Sequence, residues 1–127
     1  MPKLSVKEKL ILRPKKEKSS FKNVVLSDIE KIVLIEEDCH ISPWSKTNFL
    51  DSISSSNLFQ VLKDDELIIG YYIASFAADE CELLNITVNK HFHRQGFGKI
   101  IISHLVKNCL ERKVSNLFLF SYLERLL

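Results

Sequence analysis

The chain has 127 residues, of which 46% are hydrophobic and 27% charged. That is long enough to bury a core without disulfides or a structural metal, and the balance excludes the disordered and fibrous classes. The formal charge of +2 is unevenly spread: residues 1–20 hold seven basic groups against Glu8 and Glu17, whereas the other 107 residues hold 11 basic and 14 acidic groups.

Residues 1–20 therefore read as a basic leader, expected to be a solvated and disordered tail, with attraction to RNA through counterion release as the alternative. The leader has no continuous apolar core of a secretory signal, and its two acids argue against a transit peptide. No run approaches the roughly 20 apolar residues needed to span a bilayer, so a cytoplasmic location with no membrane partner is expected. Residues 21–127 form one domain. Cys39, Cys81 and Cys109 are odd in number and widely spaced, which favours free thiols over a disulfide or zinc framework.

In chain order, the first expected element is an amphipathic helix over 27–38. Ser27 and Glu30 offer a capping box, and Ile29, Ile32, Val33 and Ile35 fall near helical spacing. Pro43 breaks the pattern, and Ser45 can cap a second helix over 46–55. Phe59 and Val61 then lead to the polar turn 63–66 and a long apolar run, Leu67–Ala78, which fits two antiparallel strands. A strand over 82–88 follows the acidic corner of Asp79 and Glu80. A second amphipathic helix is expected over 98–111, with Ile101, Ile102, Leu105, Val106 and Cys109 on one face, and a last strand over 114–120.

Two of the three glycines, Gly96 and Gly98, lie between the 82–88 strand and the 98–111 helix. Glycine allows positive φ and close backbone approach, and the unpaired amides at a helix start favour an anion. Arg94 and Lys99 add positive charge, so the segment suits a pyrophosphate. A lone GxG before a helix also serves as a plain structural turn. The dinucleotide fingerprint GxGxxG and the P-loop GxxxxGK[ST] are both absent.

The segment Phe92–Lys99 (FHRQGFGK) resembles the cofactor loop of the Gcn5-related N-acetyltransferase (GNAT) family, with its Q/R-x-x-G-x-G/A pattern. Within that family, Glu36–Phe49 (EEDCHISPWSKTNF) is similar to the loop after the first helix in bacterial ribosomal-protein alanine N-acetyltransferases. Asp79–Val88 (DECELLNITV) resembles their central strand, and the match covers about residues 21–119 in order. The resemblance implies an α/β (α+β) fold with a mixed, mostly antiparallel sheet flanked by helices. It also implies acetyl transfer from acetyl-CoA to a protein N-terminal α-amine, most specifically the N-terminal alanine of a small-subunit ribosomal protein. The backbone of Ile86, Thr87 and Val88 would hold the pantetheine, and Arg94, Gln95, Gly96, Phe97, Gly98 and Lys99 the pyrophosphate. Pro43 and Trp44 would line the peptide groove, although a core anchor is an equal reading of Trp44. No metal, no membrane and no specific nucleic acid is implied, and the oligomeric state is not readable.

The sequence departs from the family at two places. His93 stands at the first position of the loop pattern, where Gln or Arg is usual. Phe120 stands where a glutamate is expected, and the later asparagine and tyrosine are missing, so the chain reads as lacking the C-terminal strands. A general base and acid would assist a largely protonated α-amine and a departing thiolate, but neither is assignable, Tyr122 being a weak candidate for the acid. Low turnover is expected. A catalytically dead acetyl-CoA-binding remnant and an RNA-associated module remain the alternatives. His91, His93 and His104 read as solvated or packing residues rather than metal ligands.

Overall fold

A computed structural model describes residues 18–119. Its elements are β1 (Ser20–Asn23), a 3-10 turn (Leu26–Asp28), α1 (Ile29–Cys39), α2 (Lys46–Ser54), β2 (Leu58–Asp64), β3 (Leu67–Ala77), β4 (Glu80–Val88), α3 (Phe97–Glu111) and β5 (Asn116–Phe118). The strands form one sheet in the order β1-β2-β3-β4-β5. Every pairing is antiparallel except β4 with β5, which is parallel. This is the expected mixed, mostly antiparallel sheet flanked by helices.

The sheet is covered on both faces, which explains the long apolar run of β3, buried without interruption from Ile68 to Ala74. On one face Leu62, Tyr72, Ala74, Leu83 and Ile86 pack with Phe97, Ile101 and Leu105 of α3. On the other, Phe59, Val61, Tyr71 and Ile73 pack with Ile29 and Ile32 of α1 and Phe49 of α2. A strand buried on both faces loses the apolar–polar alternation that marks a half-exposed one.

Three local expectations are corrected. The first helix does not use Ser27 and Glu30 as a capping box. Instead the Asp28 carboxylate accepts the Val25 N–H at 3.0 Å and pairs with Lys63 at 2.6 Å, while Glu30 reaches across to Lys46. The 3-10 turn that results delays the α-helix to Ile29. The strand expected over 82–88 begins two residues earlier, at Glu80, because Glu80–Glu82 pair with Asn116–Phe118. The strand expected over 114–120 is shorter, Asn116–Phe118, with Val114 and Ser115 spent on turn hydrogen bonds to Cys109 and Asp79.

β1 was not anticipated. Its sequence, SFKN, has one apolar residue, and the strand is held by pairing with β2 and by Phe21 stacking on His104 at 3.8 Å. α2 follows expectation: the Ser45 hydroxyl accepts the Asn48 N–H at 3.1 Å, a regular N-cap.

Candidate functional site

β4 determines the site. It pairs with β3 along its whole length, but with β5 only over Glu80–Glu82, so among the described residues its other edge is open from Leu83 to Val88. A register shift accompanies this: Ile73 pairs with Asn85 and Ala74 with Leu83, leaving Leu84 as an extra residue that bends the strand. Backbone groups alternate in direction along an antiparallel strand. The Asn89 N–H points to β3, bonding Ile69 at 2.8 Å. By alternation Thr87 also turns its N–H and C=O toward β3, while Ile86 and Val88 present theirs to the open edge. Of the three residues expected to hold a pantetheine, two therefore face outward and the third faces its neighbour.

The Val88 carbonyl already has partners. The His93 Nε2–H donates to it at 2.6 Å and the Cys39 thiol at 3.4 Å. His93 thus closes the loop onto the end of β4 rather than standing free where the pattern has Gln or Arg. Asn89 steadies the same corner, its side chain accepting the His91 N–H and donating to the Ile68 carbonyl.

The loop enters α3 through two left-handed residues, Arg94 (φ 62°) and Gly96 (φ 86°). At Gly96, the N-cap of the helix, the conformation explains the glycine. Gly98 lies in the first turn with no positive φ, so of the two properties expected of it only close backbone approach remains. The first intrahelical bond into this turn is made by Ile100, to the Gly96 carbonyl at 3.4 Å. The amides of Phe97, Gly98 and Lys99 therefore precede the helical ladder, at the positive end of a 15-residue dipole. Phe97 is the anchor: it is buried, edge-on to Phe92. Arg94 and Lys99 are exposed, and Gln95 is half-buried, its side-chain amide donating to the His91 carbonyl at 3.4 Å. Chemically, this is an open strand edge leading into a helix start whose amides and dipole suit an anion.

On the opposite face lies a polar cluster that the sequence reading did not find. Glu36 of α1 is fully buried. Its Oε1 accepts from Tyr71 Oη at 2.8 Å, Asn85 Nδ2 at 3.0 Å and Thr87 Oγ1 at 3.3 Å. Its Oε2 accepts the Trp44 N–H at 2.9 Å. His40 Nε2 lies 2.8 Å from Thr87 Oγ1 and 3.6 Å from Glu36 Oε1. Burial, and after it the Glu36 charge, push the Tyr71 phenol well above its ordinary value, so it remains a donor. One signal was available: Glu36 follows Ile29 and Ile32 at i+7 and i+4, which puts a carboxylate on the core-facing stripe of the helix.

Trp44 is half-buried, with its ring 5.3 Å from Phe49, and Pro43 is exposed. Tryptophan thus serves as an anchor for the segment 41–45, which carries Pro43 outward beside the cluster. The histidines lie apart: His91 and His93 belong to the loop, and His104 bonds Tyr72 Oη at 2.7 Å beneath Phe21. Among the described residues no group of three or more His, Cys, Asp or Glu side chains is placed to share a metal, and no helix is long and apolar enough to cross a membrane. Cys39, Cys81 and Cys109 are free thiols, and burial with Cys109 alongside pushes Cys81 up to about 12. Phe120 and Tyr122, at the expected base and acid positions, lie outside the described residues, as does the leader up to residue 17.

Similar proteins match this arrangement. A ribosomal protein bS18-alanine N-acetyltransferase of Haemophilus ducreyi is 29% identical over 96 residues, 76% of this chain and 66% of that protein. The crystal structure of the Escherichia coli ribosomal-protein-S18-alanine N-acetyltransferase superposes with a TM-score of 0.72 at 26% identity, covering 78% of this chain and 64% of that one. The chain thus spans slightly less than two thirds of these relatives. The fold is also shared, at 17% identity and a TM-score of 0.66, by the PaiA N-acetyltransferase of Thermoplasma acidophilum in complex with coenzyme A, over 76% of this chain and 74% of that one. A profile of the acetyltransferase (GNAT) family matches residues 29–125, from the first residue of α1 past β5, and so takes in the open strand, the loop and the helix start together: the chain belongs to that family.

Proposed function

We propose that this chain binds acetyl-CoA along the open edge of β4 and serves acetyl transfer to the α-amine of a protein N-terminus. The observation that carries this reading is the continuity of the outward-facing backbone of Ile86 and of the Val88 N–H, the Val88 carbonyl being taken by His93 and Cys39, with the amides of Phe97, Gly98 and Lys99. A pantetheine amide adds to an open strand edge as another strand would, and a pyrophosphate suits the helix start. The turn of Arg94, Gln95 and Gly96 brings the two together, and Arg94 and Lys99 supply positive charge nearby. The cofactor contributes a thioester carbonyl open to attack by an amine. Pro43 and Trp44, on the opposite face, would border the incoming peptide.

The substrate class we infer is an alanine-initiated N-terminus of a small-subunit ribosomal protein, because the named relatives act on ribosomal protein bS18. Such a reaction belongs in the cytoplasm, where ribosomal proteins are made.

The test is calorimetric titration of coenzyme A into the wild type and Gly98→Val. Valine in a helix is no worse than glycine for propensity, so the variant should fold. Its side chain would stand where the pyrophosphate must approach, and affinity should fall at least about tenfold, the equivalent of one charge-assisted hydrogen bond. Equal affinity would refute the site. Binding followed by no transfer to an alanine-initiated peptide would leave a coenzyme A-binding module.

A further inference from the structure

The polar cluster on the α1 face joins two parts of the site just described. Each oxygen of Glu36 has a different set of partners. Oε1 serves the sheet, through Tyr71 on β3 and through Asn85 and Thr87 on β4, while Oε2 serves the loop, through the Trp44 N–H. The partners lie 8 to 51 residues from Glu36 along the chain. The Trp44 and Asn85 N–H groups and the Tyr71 hydroxyl donate to it, and the Thr87 hydroxyl divides its one proton between Glu36 and Asn85 Oδ1, which is the chemistry of an acceptor.

Burying an ionised carboxylate is expensive unless its lone pairs are satisfied, and here they are. A leucine at this position would complete the apolar stripe of Ile29 and Ile32. What it could not do is hold the loop and the strand at once. The loop has few other ties: Ile41, Ser42 and Pro43 are exposed, Ile41 completely. Its fixed points are the Trp44 ring against Phe49, the Ser45 cap and the bond from Trp44 N–H to Glu36. The last of these leads directly to Thr87, between the two outward-facing residues of β4.

The geometry points to Glu36 as a positioning residue that sets the height of the 41–45 loop over the open segment of β4, and through it governs peptide recognition. This rests on the acetyl-transfer reading above. Glu36 meets β4 through the side chains of Asn85 and Thr87 and the loop through the Trp44 N–H, so its effect should fall on the peptide more than on coenzyme A.

Two substitutions separate reach from charge. Glu36→Asp keeps the charge but is one methylene too short to serve both sets of partners. Glu36→Gln loses the charge but keeps the reach, because its oxygen can take the Trp44 N–H while the Tyr71 and Thr87 hydroxyls turn to accept from its amide and the Asn85 amide flips to present its oxygen instead of its Nδ2. A role in positioning predicts that Asp is the more harmful for the loop; a role through charge alone predicts that Gln is.

Trp44 is the only tryptophan, so its fluorescence and its backbone amide exchange report on the loop directly. In the wild type the Trp44 amide should exchange far more slowly than that of Ser42; equal rates would overturn the proposal before any variant is made. In Glu36→Asp the exchange rate of Trp44 and the KM for the peptide should each rise about tenfold, the scale of one lost hydrogen bond, with coenzyme A affinity retained. Glu36→Gln should lose less on both measures. Asp milder than Gln, or a loss of kcat with KM intact, would also overturn it. If Trp44 responds as described but the wild type transfers no acetyl group to peptide, the acetyl-transfer reading fails and the loop anchor stands. If transfer occurs and Trp44 exchange is indifferent to residue 36, the anchor fails and the reading stands.

Discussion

On the α3 face of the sheet, the residues that would meet a cofactor offer their backbone: an open strand edge, a left-handed glycine and a helix start above an apolar core. On the α1 face, the residues beside the 41–45 loop offer side chains, gathered around a buried carboxylate from α1, β3, β4 and the loop. The difference follows from what each half of the proposed reaction would have to recognise. A pyrophosphate needs several donors close together, and consecutive amides at a helix start provide them without distant partners. A loop over a strand must be fixed relative to it, and only side chains spanning the two can do that.

Neighbouring residues of β3 test the contrast, because Gly70 faces α3 and Tyr71 faces α1. A Cβ on Gly70 would lie 2.6 Å from the Thr87 carbonyl oxygen and 2.7 Å from Ile101 Cδ1. The first contact is with backbone, which cannot swing away. Gly70→Ala should therefore cost about 3 kcal/mol, the upper end for overpacking. It should also weaken coenzyme A binding, since the displaced backbone belongs to the open segment of β4. Denaturant midpoints and calorimetry measure the two effects.

Tyr71→Phe is expected to be milder. It removes one of the donors to Glu36 and leaves the carboxylate with less compensation, a loss of about 1–3 kcal/mol in unfolding free energy. Coenzyme A affinity should hold, because the change lies on the other face. A parallel drop in cofactor binding would show that the two faces are not separable in this way.

The smallest expected effect is on pH dependence, at the rim of the α3 face. Burial pushes the His104 imidazole below its ordinary value, Lys107 acts in the same direction, and Glu111 opposes them. The ring sits between Phe21 and Tyr72, with Asn108 one turn along the helix. Because the folded protein resists protonation, the unfolded chain takes up the proton first, at about pH 6.5. Stability should fall as the pH drops from there through the lower folded value. Unfolding titrations of the wild type and His104→Gln over that range should show a flatter slope in the variant; identical slopes would remove His104 from the account.

Features that depend on near neighbours are legible in the chain. The helix cap at Ser45, the apolar stripe of α3, the polar turn between β2 and β3, and the glycines at the N-cap and in the first turn of α3 are each readable within a few residues, because a cap, a periodicity or a left-handed turn is a local property. The other features arise from contacts between distant segments. β1 has almost no pattern of its own and exists through its pairing with β2. The Asp28 cap replaced the expected Ser27 box because Lys63, far along the chain, compensates that carboxylate. Which edge of β4 stays open depends on where β5 leaves it, and the Glu36 cluster depends on partners up to 51 residues away. A lone glutamate on an apolar stripe can be seen in a sequence, but the donors that make its burial tolerable become neighbours only when the sheet has formed.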